Sequence, residues 1–359
     1  MRYFRLLLVL FFCSAFLPAR LHAQTQPANT PAAPTQAPVA NAANPTTPEE
    51  FFARARQLSD LEAAGVPFHL KATYVATGDA EFTGNGTYEE WWQSKEAWRK
   101  EATLGDYRYV GIRKTGVTRF YSTSDYVPLR LRQAMGAVLV RIAPDISSSR
   151  EWQIQHAKLS GASLTVLFSK YDCGREPLKV QCVNQDYLTP SGVLRIRREA
   201  AITTLYNGIQ PFQSLLIPRT ISVAAGPTPM LTISITALEP LGTEEKMLSN
   251  EASVPKTLQP AMPHIRADPR AVQSKAISQP FPEYPTTARL NRQQGTVVML
   301  ASIDENGKVR EPYVIVSAGP LLDGAALRAI RTWRYRPASL DGIPVTVDTS
   351  ITVVFSLRE

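Results

Sequence analysis

Proline is distributed along this chain in a way that forbids one continuous fold. Of 28 prolines, six (Pro27, Pro31, Pro34, Pro38, Pro45, Pro48) fall within residues 24–50 and eight within residues 239–285. Proline lacks an N–H and fixes φ, so such clusters separate folded units rather than build them. The length of 359 residues also exceeds the roughly 250–300 at which single cores stop growing. With 44% hydrophobic and 9% aromatic residues, the remaining segments can form cores. The expected division is a leader (1–23), an Ala/Pro/Thr-rich tether (24–48), a sheet domain (49–240), a disordered tether (241–278) and a small C-terminal domain (279–359).

Residues 1–23 have the anatomy of a secretory signal peptide. Arg2 and Arg5 give a positive start, residues 6–17 an apolar core, and Ala23 a small residue before Gln24. Pro18 and Arg20 stop the apolar run short of the roughly 20 residues that span a bilayer. The alternative is an uncleaved segment that anchors the chain. Three basic residues of the net +8 lie in this leader, and no dense Lys/Arg run follows, which excludes nucleic acid as a partner. Beyond the leader, Cys173 and Cys182 are an even pair in an exported chain, separated by turn formers. They are expected to form a disulfide closing a hairpin. His69, His156 and His264 are not spaced to share a metal with these thiols, so no metal or cofactor is expected.

Between residues 66 and 240 the hydrophobic period is two. Phe68, Leu70, Ala72 and Tyr74 alternate with polar neighbours. Further strands are expected at 87–92, 97–103, 107–113, 117–122, 152–159, 163–169, 193–197, 202–206, 215–223 and 230–238, with Gly84-Asn85-Gly86 as a hairpin turn. A helix starting at Thr47-Pro48-Glu49-Glu50 leads in, and residues 128–141 form a helix across the open side. This predicts an α+β chain whose larger domain is a mostly antiparallel sheet, curved or a half-barrel. Chemistry is sparse here. Glu89 and Glu90 point to opposite faces of a strand, Ser160-Gly161-Ala162-Ser163 lacks the glycine frame of a nucleophile elbow, and Trp91, Trp92 and Trp98 suit a core. No nucleophile–base pair emerges, so the chain is not expected to be an enzyme. The stretch from Gly86 to Trp92, with Trp98-Arg99-Lys100-Glu101, resembles periplasmic lipoprotein-carrier and lipoprotein-sensor folds. That resemblance implies an apolar ligand in the middle domain.

The last eighty residues read as β-β-α-β. Val297, Met299, Ala301 and Ile303 share a strand face, and Asp304-Glu305-Asn306-Gly307 is a hairpin turn. Leu322, Ala326, Ile330 and Trp333 lie at helical spacing, and Val345, Val347, Ile351, Val353 and Phe355 line a final strand. The Tyr284-Pro285 entry, Gly295-Thr296-Val297-Val298, Leu322-Asp323 with Ala325-Ala326, and Trp333-Arg334-Tyr335-Arg336-Pro337 together resemble the C-terminal domain of TonB-family energy transducers. The resemblance implies a periplasmic module that binds the peptide of an outer-membrane TonB-dependent receptor by strand addition. The edge expected to receive it is Thr349, Ser350, Ile351, Thr352, Val353, Val354 and Phe355, which holds no proline. A homodimer through the last strand is the competing use of that edge. An uncleaved leader would place the chain in the inner membrane facing the periplasm, within reach of motor proteins. However, Ser14 and His22 are eight apart, unlike the one-turn Ser and His spacing of full transducers. The second functional reading is a periplasmic carrier or sensor of a lipidated or apolar ligand, with the module as its docking domain.

Overall fold

The computed structural model describes residues 45–142, 152–159, 161–172, 181–242, 248, 251–262 and 264–357. The expected leader, nearly all of the first tether, and Cys173 lie outside the described residues. Thr47 opens the first element. Its hydroxyl accepts from the Glu50 N–H while Glu50 reaches back to the cap backbone, a capping box at the start of α1 (Pro48–Ser59). Such a cap contributes about 1 kcal/mol. Phe51, Phe52, Ala55 and Leu58 bury one stripe of this helix. Asp60 then caps α2 (Leu61–Ala64) through the Ala63 N–H.

The strands that follow are β1 (Phe68–Ala76), β2 (Gly84–Ser94), β3 (Ala97–Leu104), β4 (Tyr107–Lys114) and β5 (Val117–Ser122). After α3 (Leu129–Ala137) come β6 (Gln153–Leu159), β7 (Ala162–Asp172), β8 (Gln181–Leu188), β9 (Leu194–Glu199) and β10 (Ile202–Asn207). A small hairpin, β11 (Gln210–Phe212) and β12 (Leu215–Ile217), precedes β13 (Thr220–Ala225), β14 (Thr228–Pro240) and β15 (Gln259–Pro260). One antiparallel sheet takes all of them except the hairpin, in the order β15-β5-β4-β3-β2-β1-β14-β13-β10-β9-β8-β7-β6. Period-two burial selects its faces: Leu70, Ala72, Tyr74 and Ala76 are buried while their neighbours are largely exposed. α1 and α3 share that core, through Phe51, Phe52, Leu131 and Ala134.

Three expectations of this domain change. Gly84-Asn85-Gly86 is not a turn but the start of β2. Gly86 is needed because the Tyr74 ring lies over it; a Cβ there would sit 2.2 Å from the ring. The expected strand at 215–223 is split into β12 and β13 around Pro218, which has no N–H for a ladder. β8 went unforeseen because its inward residues include Asn184 and Asp186, which break the apolar alternation. Asp186 is tolerated at 5% exposure because Arg197 holds both of its oxygens, at 3.0 and 2.8 Å.

The C-terminal part contains β16 (His264–Arg266), α4 (Pro269–Gln273), β17 (Ala276–Ser278), α5 (Thr286–Leu290), β18 (Gly295–Ile303) and β19 (Val309–Val316). It ends with α6 (Pro320–Ile330), β20 (Arg334–Tyr335), β21 (Ala338–Leu340) and β22 (Ile343–Phe355). β22 pairs antiparallel with the whole of β18, which pairs with β19. α6 covers one face, burying Leu322, Ala326 and Ile330 against Val297, Met299 and Ile351.

Segment 241–278 is corrected most. Its described residues are not a disordered tether but a strap across both sheets. Gln259 pairs with Ser122 at the edge of the large sheet, Arg119 bonds Glu251 at 2.5 Å, and β16 pairs with β22. Val272 of α4 enters the C-terminal core. Prolines suit such a strap because an edge strand can spare N–H groups on its solvent side.

Candidate functional site

β22 is the element on which the expected partner site rests. The odd-numbered side chains Ile351, Val353 and Phe355 are buried at 4–5% exposure in the core under α6. Ser350 and Thr352 are half-buried on the other face, and Val354 is 48% exposed. Thr349 is buried, and its hydroxyl donates to the Ala267 carbonyl. Of the seven expected residues, only Val354 presents an exposed side chain.

Backbone direction decides what the edge can do. The Asp348 carbonyl accepts from the Ala267 N–H at 3.2 Å, so the main-chain groups of even-numbered residues face away from β18. Those of Thr346 and Asp348 meet β16, which runs parallel in the register His264 to Thr346, Ile265 to Val347 and Arg266 to Asp348. Beyond Asp348, no described strand pairs on this side of β22. Ser350, Thr352 and Val354 therefore offer an open row of donors and acceptors, with Val353 and Phe355 anchored in the core behind it.

The face of the module's sheet opposite α6 packs on the large sheet. Val298 and Ile315 meet Cys182 in a small apolar cluster. Around it lie charged contacts. Arg132 of α3 donates to Asp348 Oδ2 at 2.7 Å and to Ser302 Oγ at 2.8 Å. Arg310 donates to Glu81 at 2.9 and 2.6 Å, and Arg331 to Asp79 at 2.7 Å. Glu311 accepts from the Tyr126 hydroxyl at 2.9 Å and from the Leu129 N–H at 2.5 Å. That second bond matters because the residue preceding α3 is Pro128, which gives the helix no side-chain cap of its own. The module supplies the cap. Glu311 sits at φ 44°, a strained value for a non-glycine residue, at a register shift of β19 that aims its carboxylate at the helix.

Burial opposes ionisation of Asp348, but the His264 imidazole, the Arg132 guanidinium and the Ser302 hydroxyl outweigh it and pull the carboxyl down to about 2. Burial holds the imidazole of His264 below its ordinary value, and burial pushes the Tyr313 hydroxyl up to about 12. Beneath the module's sheet lies a cavity of about 950 Å³. Its wall combines Arg132, Arg197 and Arg266 with Ile202, Val223 and Leu300, a mixed surface rather than an apolar one. Among the described residues no cluster of three or more His, Cys, Asp or Glu is suited to a metal ion. His156 is exposed on the edge strand β6.

The expected Cys173–Cys182 pairing has one member outside the described residues; Cys182 itself is buried on β8 at 3% exposure. Sequence reasoning did not foresee β16, Arg132 or Glu311 at this site. A faint signal existed for β16, a proline-free stretch from His264 to Asp268 between Pro263 and Pro269. None marked Arg132 or Glu311, whose partners are distant in the chain.

Residues 280–357 match the family described as Gram-negative bacterial TonB protein C-terminal. A protein TonB from Vibrio cholerae serotype O1 is 34% identical over 97 residues, which is 26% of this chain and 40% of that protein. The similarity thus covers well under two thirds of the relative. Among solved structures, a LolA superfamily protein from Nitrosomonas europaea matches with a TM-score of 0.38 and 9% identity over 58% of this chain and 100% of its own. A putative outer membrane lipoprotein-sorting protein domain from Vibrio parahaemolyticus matches with a TM-score of 0.30 and 12% identity, over 57% of this chain and 95% of its own. Likeness this distant says nothing about a ligand.

Proposed function

We propose that the C-terminal module pairs with an extended peptide of an outer-membrane receptor by strand addition along the open side of β22. In this reading the protein works in the periplasm in support of TonB-dependent transport. One observation carries it: beyond Asp348, the edge of β22 offers main-chain groups that no described strand takes, within a module matched to the TonB C-terminal family. Backbone pairing supplies affinity that depends little on the partner's side chains.

The test is a cysteine at Val354, the exposed residue of the edge, rather than at the buried Val353. Oxidative crosslinking in cells to cysteines placed along a receptor's periplasmic peptide is expected at Val354→Cys and not at Val353→Cys. Absence of any receptor adduct, where a bona fide transducer forms one, refutes the reading. Coupling to an inner-membrane motor requires an uncleaved N-terminal segment. The first residue of protein isolated from cells, Met1 or Gln24, decides that point. No helix among the described residues is long and apolar enough to cross a membrane.

A second reading, a carrier or sensor of an apolar ligand, draws on the 950 Å³ cavity, within the size range of small-molecule sites. It is less favoured because the core face of the large sheet is filled by Leu131, Val138, Leu139 and Val140, and arginines line the space that remains. Native mass spectrometry of protein purified without detergent is expected to show the bare chain mass; a co-purifying lipid would reverse the preference.

A further inference from the structure

The partner edge and a piece of the chain's own backbone draw on one row of hydrogen-bonding groups. β16 already does to Thr346 and Asp348 what an added strand would do to Ser350, Thr352 and Val354. Ala267 donates its N–H to the Asp348 carbonyl. By strand alternation, Ile265, two residues back, turns its own N–H and carbonyl toward the same edge, between Thr346 and Asp348.

We propose that β16 is a built-in occupant of the partner edge, dividing it into a held half at Thr346 and Asp348 and an open half at Ser350, Thr352 and Val354. This deepens the strand-addition reading above and rests on it. The partner is an extended peptide without proline at its ladder positions. It pairs first over the open half and gains the held half only by displacing residues 264–267, because the Ala267 N–H holds the Asp348 carbonyl.

Three features make β16 displaceable. It is three residues long and parallel, the less stable pairing per residue. Pro263 and Pro269 bound it in sequence, so the ladder cannot lengthen in either direction. Among the described residues the His264 ring makes no hydrogen bond within 3.5 Å and meets Asp348 at 3.9 Å and the Tyr126 ring at 5.9 Å, so beyond these loose contacts the strand is held by main-chain pairing and Ile265 packing. Arg132 and Ser302 hold the Asp348 side chain and not its main chain, so they do not compete with a strand that pairs with its backbone.

The test uses the full chain and a fluorescent synthetic peptide with the sequence of residues 264–268, which holds no proline, as the probe strand. In the wild type, the Asp348 amide is expected to exchange hydrogen at least tenfold more slowly than that of Thr352. Ile265→Pro removes the central N–H of β16. It should bring Asp348 to the Thr352 rate and tighten probe binding at least tenfold, with new protection at Asp348. Equal affinity for wild type and variant overturns the proposal. So does failure of the variant to bind the probe, or an Asp348 amide that exchanges as fast as Thr352 in the wild type. If Ile265→Pro loses protection at Val298 in the module's central strand, Ile265→Gly replaces it, with a severalfold gain in probe affinity expected and no gain refuting. None of these readings uses a receptor, so failure of receptor capture through Val354→Cys is distinguishable from failure here.

Discussion

A half-buried imidazole whose two nitrogens make no hydrogen bond within 3.5 Å among the described residues makes His264 sensitive to acid. Burial holds its pKa below the ordinary value of 6.5. The groups facing it are Asp348, whose carboxylate is 3.9 Å from Nδ1, Arg132 and Glu305, and the Tyr126 ring at 5.9 Å. A group whose folded pKa is depressed stabilises the fold fully above its unfolded pKa, and that contribution is lost as pH falls through the folded value. Loosening of β16 is therefore expected below about pH 6.5, while Asp348 stays ionised down to about 2. Amide exchange at Ile265 should quicken between pH 7 and 5 once corrected for intrinsic rates, and His264→Gln should flatten that dependence. A second single-residue constraint is Gly307, at φ 73° with the Tyr335 carbonyl 1.8 Å from where a Cβ would stand. Gly307→Ala is expected to cost about 2–3 kcal/mol, read as a lowered urea midpoint of the module. An unchanged midpoint would show that the turn can open away from Tyr335.

At the level of elements, β22 has two kinds of position that its sequence alternation separates cleanly. Ile351 is 4% exposed and packed under α6, so Ile351→Ala is expected to destabilise the module by about 3 kcal/mol. Val354→Ala, on the exposed face, should stay within about 0.5 kcal/mol. Chemical denaturation of both variants checks the pair, and a large effect at Val354 would place it in a packed interface. Elements with regular alternation were readable in advance. β1 and β22 show it, and the turn at residues 304–307 joins β18 to β19, with Gly307 at positive φ. Elements whose inward residues are polar were not: Asp186 reads as solvent-facing until Arg197 is known to lie beside it. The same limit applied to the site. The edge of β22 followed from a proline-free apolar alternation, but its occupation by β16 depends on a pairing some eighty residues apart. Proline-rich composition argued against order in 241–278 because that argument weighs burial. The strap is instead held largely by edge backbone pairing, which composition does not register.

For the whole molecule, the question is what keeps the module seated on the large sheet. The apolar contact of Cys182 with Val298 and Ile315 is small, so the polar contacts must carry much of the docking. Exposed pairs such as Arg331 with Asp79 contribute little. Glu311 is different: it is 7% exposed and satisfies both the Tyr126 hydroxyl and the first N–H of α3. Asp348 keeps about a third of its side-chain surface exposed, so screening reduces the Arg132 pair to about 1 kcal/mol. Glu311→Ala leaves a buried hydroxyl and a helix N–H without partners, a loss of about 2–3 kcal/mol. Together, Glu311→Ala and Arg132→Ala should weaken docking by roughly two orders of magnitude. Neither substitution removes a side chain from the core under α6, so amide protection at Met299 and Ile351 is expected to persist. Protection in the first turn of α3 should fall, and the radius of gyration from solution scattering should rise as the module swings on its strap. A rise in radius with loss of protection at Met299 would mean that docking holds the module folded, not merely in place. An unchanged radius would assign the docking to the Cys182 cluster and the strap, and leave Glu311 with the narrower role of ordering α3.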